Sequence, residues 1–120
     1  MSTFDPLAHL EAGCVLLVED DETNRFIVGR MVEAEGYKVV SAQDGYEGLR
    51  KAQEGKFDLI LMDISMPGMD GVEATMHIRK TVGPSQNAAI FGLTAHALPE
   101  EIEGFLAAGM QGCLIKPLRT

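Results

Sequence analysis

Six polar residues stand where apolar runs stop. Glu19, Asp20 and Asp21 follow Cys14 to Val18, Asp63 follows Phe57 to Met62, Thr94 follows Ala88 to Leu93, and Lys116 follows Gly112 to Ile115. If these runs are strands of an open α/β sheet, their ends converge on the crevice outside the carboxyl edge, where such sheets bind ligands. Carboxylates gathered there raise one another's pKa and cannot all stay ionised without compensation, and one lysine is too little. A divalent cation answers that need. Oxygen donors with no His or Cys beside them select a hard ion, Mg²⁺ or Mn²⁺, and Mg²⁺ uses one or two carboxylates while keeping waters and a phosphate oxygen. The chemistry implied is that of a phosphoryl group.

The elements that must position these residues alternate between strand and helix, the pattern of a parallel sheet with crossover helices. Cys14 to Val18 reads as the first strand. Asp21 to Glu35 reads as a helix, with Ile27, Met31 and Ala34 at helical spacing, Val28 and Val32 beside them, and Gly36 as the stop. Tyr37 to Ala42 is a second strand, and Asp44 with Glu47 forms a capping box for a helix that buries Leu49 and Ala52 and ends at Gly55. The run Phe57 to Met62 is apolar almost throughout, as a central strand covered on both faces requires. Asp70 and Glu73 cap a third helix through about Lys80. Ala88 to Leu93 is the fourth strand. Pro99 opens a helix expected to bury Ile102, Phe105 and Leu106 before Gly109, and Gly112 to Ile115 is the fifth strand.

Composition narrows the classes. The chain has 120 residues, 46% hydrophobic and 23% charged, which fits one globular core and excludes disorder for most of its length. Ten basic residues against 18 acidic give a net charge of −8, so direct nucleic-acid binding is not expected. Its apolar runs fall far short of the ~20 residues that span a bilayer, and the first residues lack a basic start or an apolar signal core. The reading is a cytoplasmic chain with no membrane contact of its own. Cys14 and Cys113 each lie inside an apolar run and read as buried free thiols.

Four segments, in order, carry a family resemblance: Val-Leu-Leu-Val-Glu-Asp-Asp at 15 to 21, Leu-Met-Asp-Ile-Ser-Met-Pro-Gly-Met-Asp-Gly at 61 to 71, Leu-Thr-Ala at 93 to 95 and Ile-Lys-Pro at 115 to 117. Together they resemble a response-regulator receiver domain over about residues 14 to 118. Asn24 and the Leu-Thr-Ala-His-Ala stretch are similar to receivers attached to hybrid sensor kinases. The resemblance implies a flavodoxin-like, doubly wound, five-stranded parallel sheet of order 2-1-3-4-5. It implies Asp63 as phosphoacceptor, Asp20 as a direct Mg²⁺ ligand, Glu19 acting through water, and the Ser65 backbone carbonyl completing the metal site. Thr94 and Lys116 would grip phosphoryl oxygens, the small Ala95 would leave the approach open, and Lys116-Pro117 would be a cis bond. Partners would be a histidine kinase or a histidine phosphotransfer domain. Such a domain catalyses its own phosphorylation and dephosphorylation and turns over no separate substrate, though a parent chain could be a histidine kinase.

Two departures stand out. Cys113 occupies the position, three before the lysine, where the family usually places a Tyr or Phe that couples to the threonine. Only three residues follow Pro117, too few for a fifth helix. With right-handed crossovers, three helices then share one face and the first helix lies alone on the other. Asp5 as N-cap, Pro6 and Gly13 define a short helix in the extension 1 to 13 that presents Leu7 and Leu10; it, or a homodimer contact, is expected to cover the open face.

Plainer readings stand beside these. An Asp after a strand is commonly a turn former, and Asp21 and Glu22 read first as residues serving a helix start, with metal ligation as the alternative. His9 and His77 read as surface residues without metal spacing, His96 as bordering the site, and Met66, Met69 and Met76 as packing. An aspartyl-phosphate phosphohydrolase would need a second acid two residues after the nucleophile, where Ser65 stands. A flavodoxin-like binding module would need a phosphate-cradling loop after the first strand, where acids stand. A receiver-shaped module that is never phosphorylated would not require the set Asp20, Asp63, Thr94 and Lys116.

Overall fold

A computed structural model describes residues 13–118. Five strands and four helices alternate: β1 (Cys14–Val18), α1 (Glu22–Ala34), β2 (Lys38–Ala42), α2 (Gly45–Glu54), β3 (Leu59–Asp63), α3 (Gly71–Lys80), β4 (Ala89–Thr94), α4 (Pro99–Ala108) and β5 (Gly112–Ile115). All strand pairs are parallel, in the order β2-β1-β3-β4-β5. The expected fold class is therefore the observed one. Among the described residues no helix follows β5, and the expected helix between Asp5 and Gly13 lies outside them.

Alternation along the strands separates two cores. Leu16, Val18, Ile60, Met62 and Ile90 face Ala52 of α2, Ala74 and Ile78 of α3 and Phe105 of α4. Val15, Leu17, Leu59, Leu61 and Leu93 face the other way, onto Val28 and Val32 of α1. Every residue of β1 from Val15 and of β3 is buried, as central strands with helices on both faces must be.

Helix starts follow the sequence closely. Asp21, Asp44 and Asp70 each accept a backbone N–H from the third residue on, Asn24, Glu47 and Glu73, at 2.8 Å. Glu47 Oε1 accepts the Gln43 N–H at 2.8 Å, one residue before Asp44, so α2 has the Asp44 cap but not the reciprocal bond of the expected capping box. The α4 start is different: Leu98 offers no side-chain cap, and Glu101 alone accepts the Leu98 N–H at 2.9 Å.

The faces of the helices differ in places from the spacing argument. In α1 the buried residues are Val28 and Val32, while Ile27 is 48% exposed and Ala34 is exposed. In α4 only Phe105 is buried; Ile102 is half-buried and Leu106 is 49% exposed. Leu49 of α2 is likewise only half-buried, beside a buried Ala52. These helices lie against a sheet over a narrow stripe, so helical period alone overstates how many apolar positions reach the core. Cys14 and Cys113 are free thiols, but half-buried rather than buried, because both belong to the sheet's periphery: Cys14 starts β1 and Cys113 lies on the edge strand β5. Strand boundaries also move: β2, β3 and β4 start at Lys38, Leu59 and Ala89 rather than at Tyr37, Phe57 and Ala88, and β3 and β4 extend to include Asp63 and Thr94 themselves.

Arg79, at the end of α3, ties the lower part of the fold together. Its guanidinium donates to the Gly109 carbonyl through Nε at 2.9 Å and Nη2 at 2.8 Å, and to the Gln86 carbonyl through Nη1 at 2.7 Å. Gly109 ends α4 with φ of 113°, a left-handed conformation that suits glycine.

Candidate phosphoacceptor site

The carboxyl ends of β1, β3, β4 and β5 meet at one edge of the sheet. Glu19 continues β1, its N–H donating to the Ala42 carbonyl at 3.0 Å, and it is fully buried. Asp20 follows and is exposed. Asp63 closes β3 and is 2% exposed. One carboxylate oxygen from each of Glu19, Asp20 and Asp63 lies within 4.8 Å of the others.

Lys116 enters from the end of β5. Its Nζ donates to Asp63 Oδ1 at 3.0 Å and to Glu19 Oε1 at 3.2 Å. The Lys116 backbone N–H donates to the Thr94 carbonyl at 2.7 Å, which fixes β5 against β4 where the lysine departs. The Lys116–Pro117 bond is cis, as the family resemblance implied.

Electrostatics follow from burial and crowding. Removal from water pushes the Asp63 carboxyl up, the neighbouring Asp20 and Glu19 push it further, Lys116 opposes them, and the outcome is a pKa of about 7. Burial works to lower the Lys116 pKa, but its hydrogen bond to Asp63 and the charges of Asp63 and Glu19 outweigh that, so the ammonium is held more firmly charged. With Asp63 ionised, three carboxylates against one ammonium leave two negative charges to be offset. The donor set is all oxygen, and its deficit is that of one divalent cation. These residues therefore fit a hard divalent ion.

The surrounding turns are braced. Glu19 Oε2 accepts the Asp21 N–H at 3.1 Å, and the Glu19 carbonyl accepts Arg25 Nη1 at 2.8 Å. Asp21 caps α1 through Asn24 and Glu22 lies exposed in the first turn, which is the plainer of their two readings. Past β3, the α3 start comes so close that a Cβ on Gly71 would strike the Asp63 carbonyl oxygen. The tight return of the chain there needs glycine.

Not every expected residue is drawn in. Thr94 ends β4 one position beyond Leu93, the partner of Asp63 in the ladder, but its hydroxyl donates to the His96 carbonyl at 2.7 Å and not toward the acids. Ser65 lies two residues past Asp63 and is exposed. Of His96, the carbonyl meets the Thr94 hydroxyl, while the exposed imidazole sits with Nδ1 3.3 Å from Glu101 Oε1. Two participants escaped the sequence reading, Arg25 and Glu101. A basic residue four places after an N-cap, and an acid three places after an uncapped helix start, were the available signals.

Comparison with known proteins agrees with this geometry. The response regulator receiver domain family matches residues 15–120. The chain is 41% identical over 115 residues to the sensor histidine kinase AruS of Pseudomonas aeruginosa, covering 95% of this chain and 12% of that protein. It is 38% identical over 113 residues to the sensor protein EvgS of Escherichia coli K12, covering 94% of this chain and 9% of that protein. The chain thus spans about a tenth of the length of these relatives. Among solved structures, the chemotaxis protein CheY4 of Vibrio cholerae superposes with a TM-score of 0.84 at 35% identity, covering 90% of this chain and 89% of that one. The receiver domain of a sensor histidine kinase from Pseudomonas aeruginosa PAO1, with a magnesium ion coordinated in its active-site cleft, superposes with a TM-score of 0.80 at 37% identity, covering 90% and 88%. Sequence motifs, sheet order and the lysine-bridged acids converge: this chain belongs to the response regulator receiver family, the phosphoacceptor domains of two-component signalling.

Proposed function

We propose that Asp63 takes a phosphoryl group from a phosphohistidine, carried by a histidine kinase or a histidine phosphotransfer domain, in a reaction that requires Mg²⁺ or Mn²⁺. The observation that carries this reading is the buried Asp63 carboxylate, bridged to Glu19 by Lys116 and set beside Asp20. Glu19, Asp20 and Asp63 would hold the ion, with the Ser65 carbonyl beside them, and the magnesium-bound Pseudomonas receiver supports the choice of metal. The ion supplies positive charge that lets Asp63 stay ionised at neutral pH and offsets charge on the transferred group.

The protein's own part is positioning and neutralisation. An Asp63 oxygen attacks phosphorus in line, the P–N bond breaks, and the imidazole nitrogen leaves with the electron pair. Lys116 is already charged beside Asp63 and needs no reorganisation to meet a phosphoryl oxygen. Thr94 meets another once its hydroxyl turns from His96. Residues 14–120 form the unit that does this, residues 1–13 are an extension to it, and the unit works in the cytoplasm. Among the described residues no helix is long and apolar enough to cross a membrane.

Acetyl phosphate with Mg²⁺, followed by intact-mass measurement, tests the reading. The parent should gain the mass of one phosphoryl group, and neither D63N nor the parent in chelator should gain it. Labelling of D63N as readily as the parent, or labelling without divalent metal, refutes the proposal.

A further inference from the structure

Thr94 stands beside the acids with its hydroxyl proton already committed. It donates to the His96 carbonyl at 2.7 Å, and a hydroxyl has one proton to give. In this geometry it has none for an oxygen on Asp63. The carbonyl that holds it belongs to the segment 95–98, which leads from β4 into α4. Beyond the Thr94 hydroxyl itself, the side chain that holds this segment is that of Glu101. Glu101 Oε1 accepts the Leu98 N–H at 2.9 Å and lies 3.3 Å from His96 Nδ1, while the Glu101 N–H donates back to the Leu98 carbonyl at 2.9 Å.

We propose that Glu101 is a positioning residue for Thr94. By clamping His96 and Leu98 it presents the His96 carbonyl that keeps the Thr94 hydroxyl turned away, and so sets how readily that hydroxyl is released to a phosphoryl group. The inference rests on Asp63 as the acceptor. The link runs in both directions: a ligand that draws the hydroxyl away leaves the His96 carbonyl without its partner and loosens the same clamp at the start of α4. Leu98, 51% exposed at that start, is the residue the loosened clamp sets free.

A double-mutant cycle with beryllofluoride as the phosphoryl mimic, in Mg²⁺ on the full chain, tests this. Half-saturation is read from backbone amide NMR shifts. E101A removes both arms of the clamp and H96A its His96 arm, and each should tighten beryllofluoride binding by about two- to fivefold, the range expected for an exposed side-chain contact. H96A leaves the α4 cap intact and guards against a folding effect of E101A. In a T94V background neither change should alter binding. Unchanged half-saturation with Thr94 present, or an equal change in T94V, overturns the role of Glu101. A parent that fails to bind beryllofluoride at all refutes the phosphoacceptor reading itself, a distinguishable result that removes this inference with it.

Discussion

The pKa of Asp63 makes a quantitative claim about stability. In the metal-free folded chain the carboxyl holds its proton up to about pH 7, whereas in the unfolded chain it releases it near 3.8. Below the unfolded value both states are protonated and the contribution is complete. It is lost as pH rises through the folded value, because ionisation then occurs inside a crowded, nearly dry site. From about pH 5 to about pH 8 roughly two pKa units of differential proton binding disappear, or roughly 2 to 3 kcal/mol of stability. D63N replaces the carboxyl with a neutral group of the same shape and should not share this loss. The assay is urea unfolding of parent and D63N in chelator across that range, read as the difference between them. That difference cancels the other titrating groups, and D63N should gain on the parent by the amount stated. Saturating Mg²⁺ should abolish the gain by stabilising the ionised parent. A difference that stays flat in chelator from pH 5 to pH 8 would refute the argument that burial and neighbouring acids hold the proton on Asp63.

Two further outcomes follow from packing. G71A drives a Cβ into the Asp63 carbonyl oxygen, with the Asp63 carbonyl carbon and Ile64 Cα both at 3.0 Å, so it should cost about 1 to 3 kcal/mol in urea unfolding and weaken Mg²⁺ binding as the β3 end shifts. R79M strands the Gly109 and Gln86 carbonyls and should cost roughly 2 kcal/mol or more by the same measurement, while isothermal titration finds Mg²⁺ affinity unchanged, since Arg79 holds the opposite end of α3.

What the sequence made legible was what local chemistry controls. Asp21, Asp44 and Asp70 cap their helices as their spacing to Asn24, Glu47 and Glu73 indicates, because a cap is settled within four residues. The convergence of Glu19, Asp63 and Lys116 was legible because strand ends in a parallel sheet must share an edge. What depends on the angle at which a helix meets the sheet was not legible. Ile27 and Leu106 obey helical period and still face solvent, and Cys14 and Cys113 sit at margins that an apolar neighbourhood does not reveal. The orientation of Thr94 was equally hidden. A hydroxyl at a strand end can face the ligand or the following loop, and the choice rests on a backbone carbonyl, which every residue carries.

The bridging lysine also ties function to the order in which the chain is made and folded. Lys116 reaches Asp63 across 53 positions and Glu19 across 97, so the ammonium arrives from the last strand to complete acids supplied by the first and third. A nascent or partly folded chain that has paired β1 with β3 already gathers Glu19 and Asp63 but lacks their counter-charge, and mutual repulsion works against that half-built edge until β5 docks. On the proposed chemistry, competence to receive a phosphoryl group is reserved for molecules whose sheet is whole, and a chain cut or stalled before β5 would lack the Lys116 ammonium however well its earlier strands had folded.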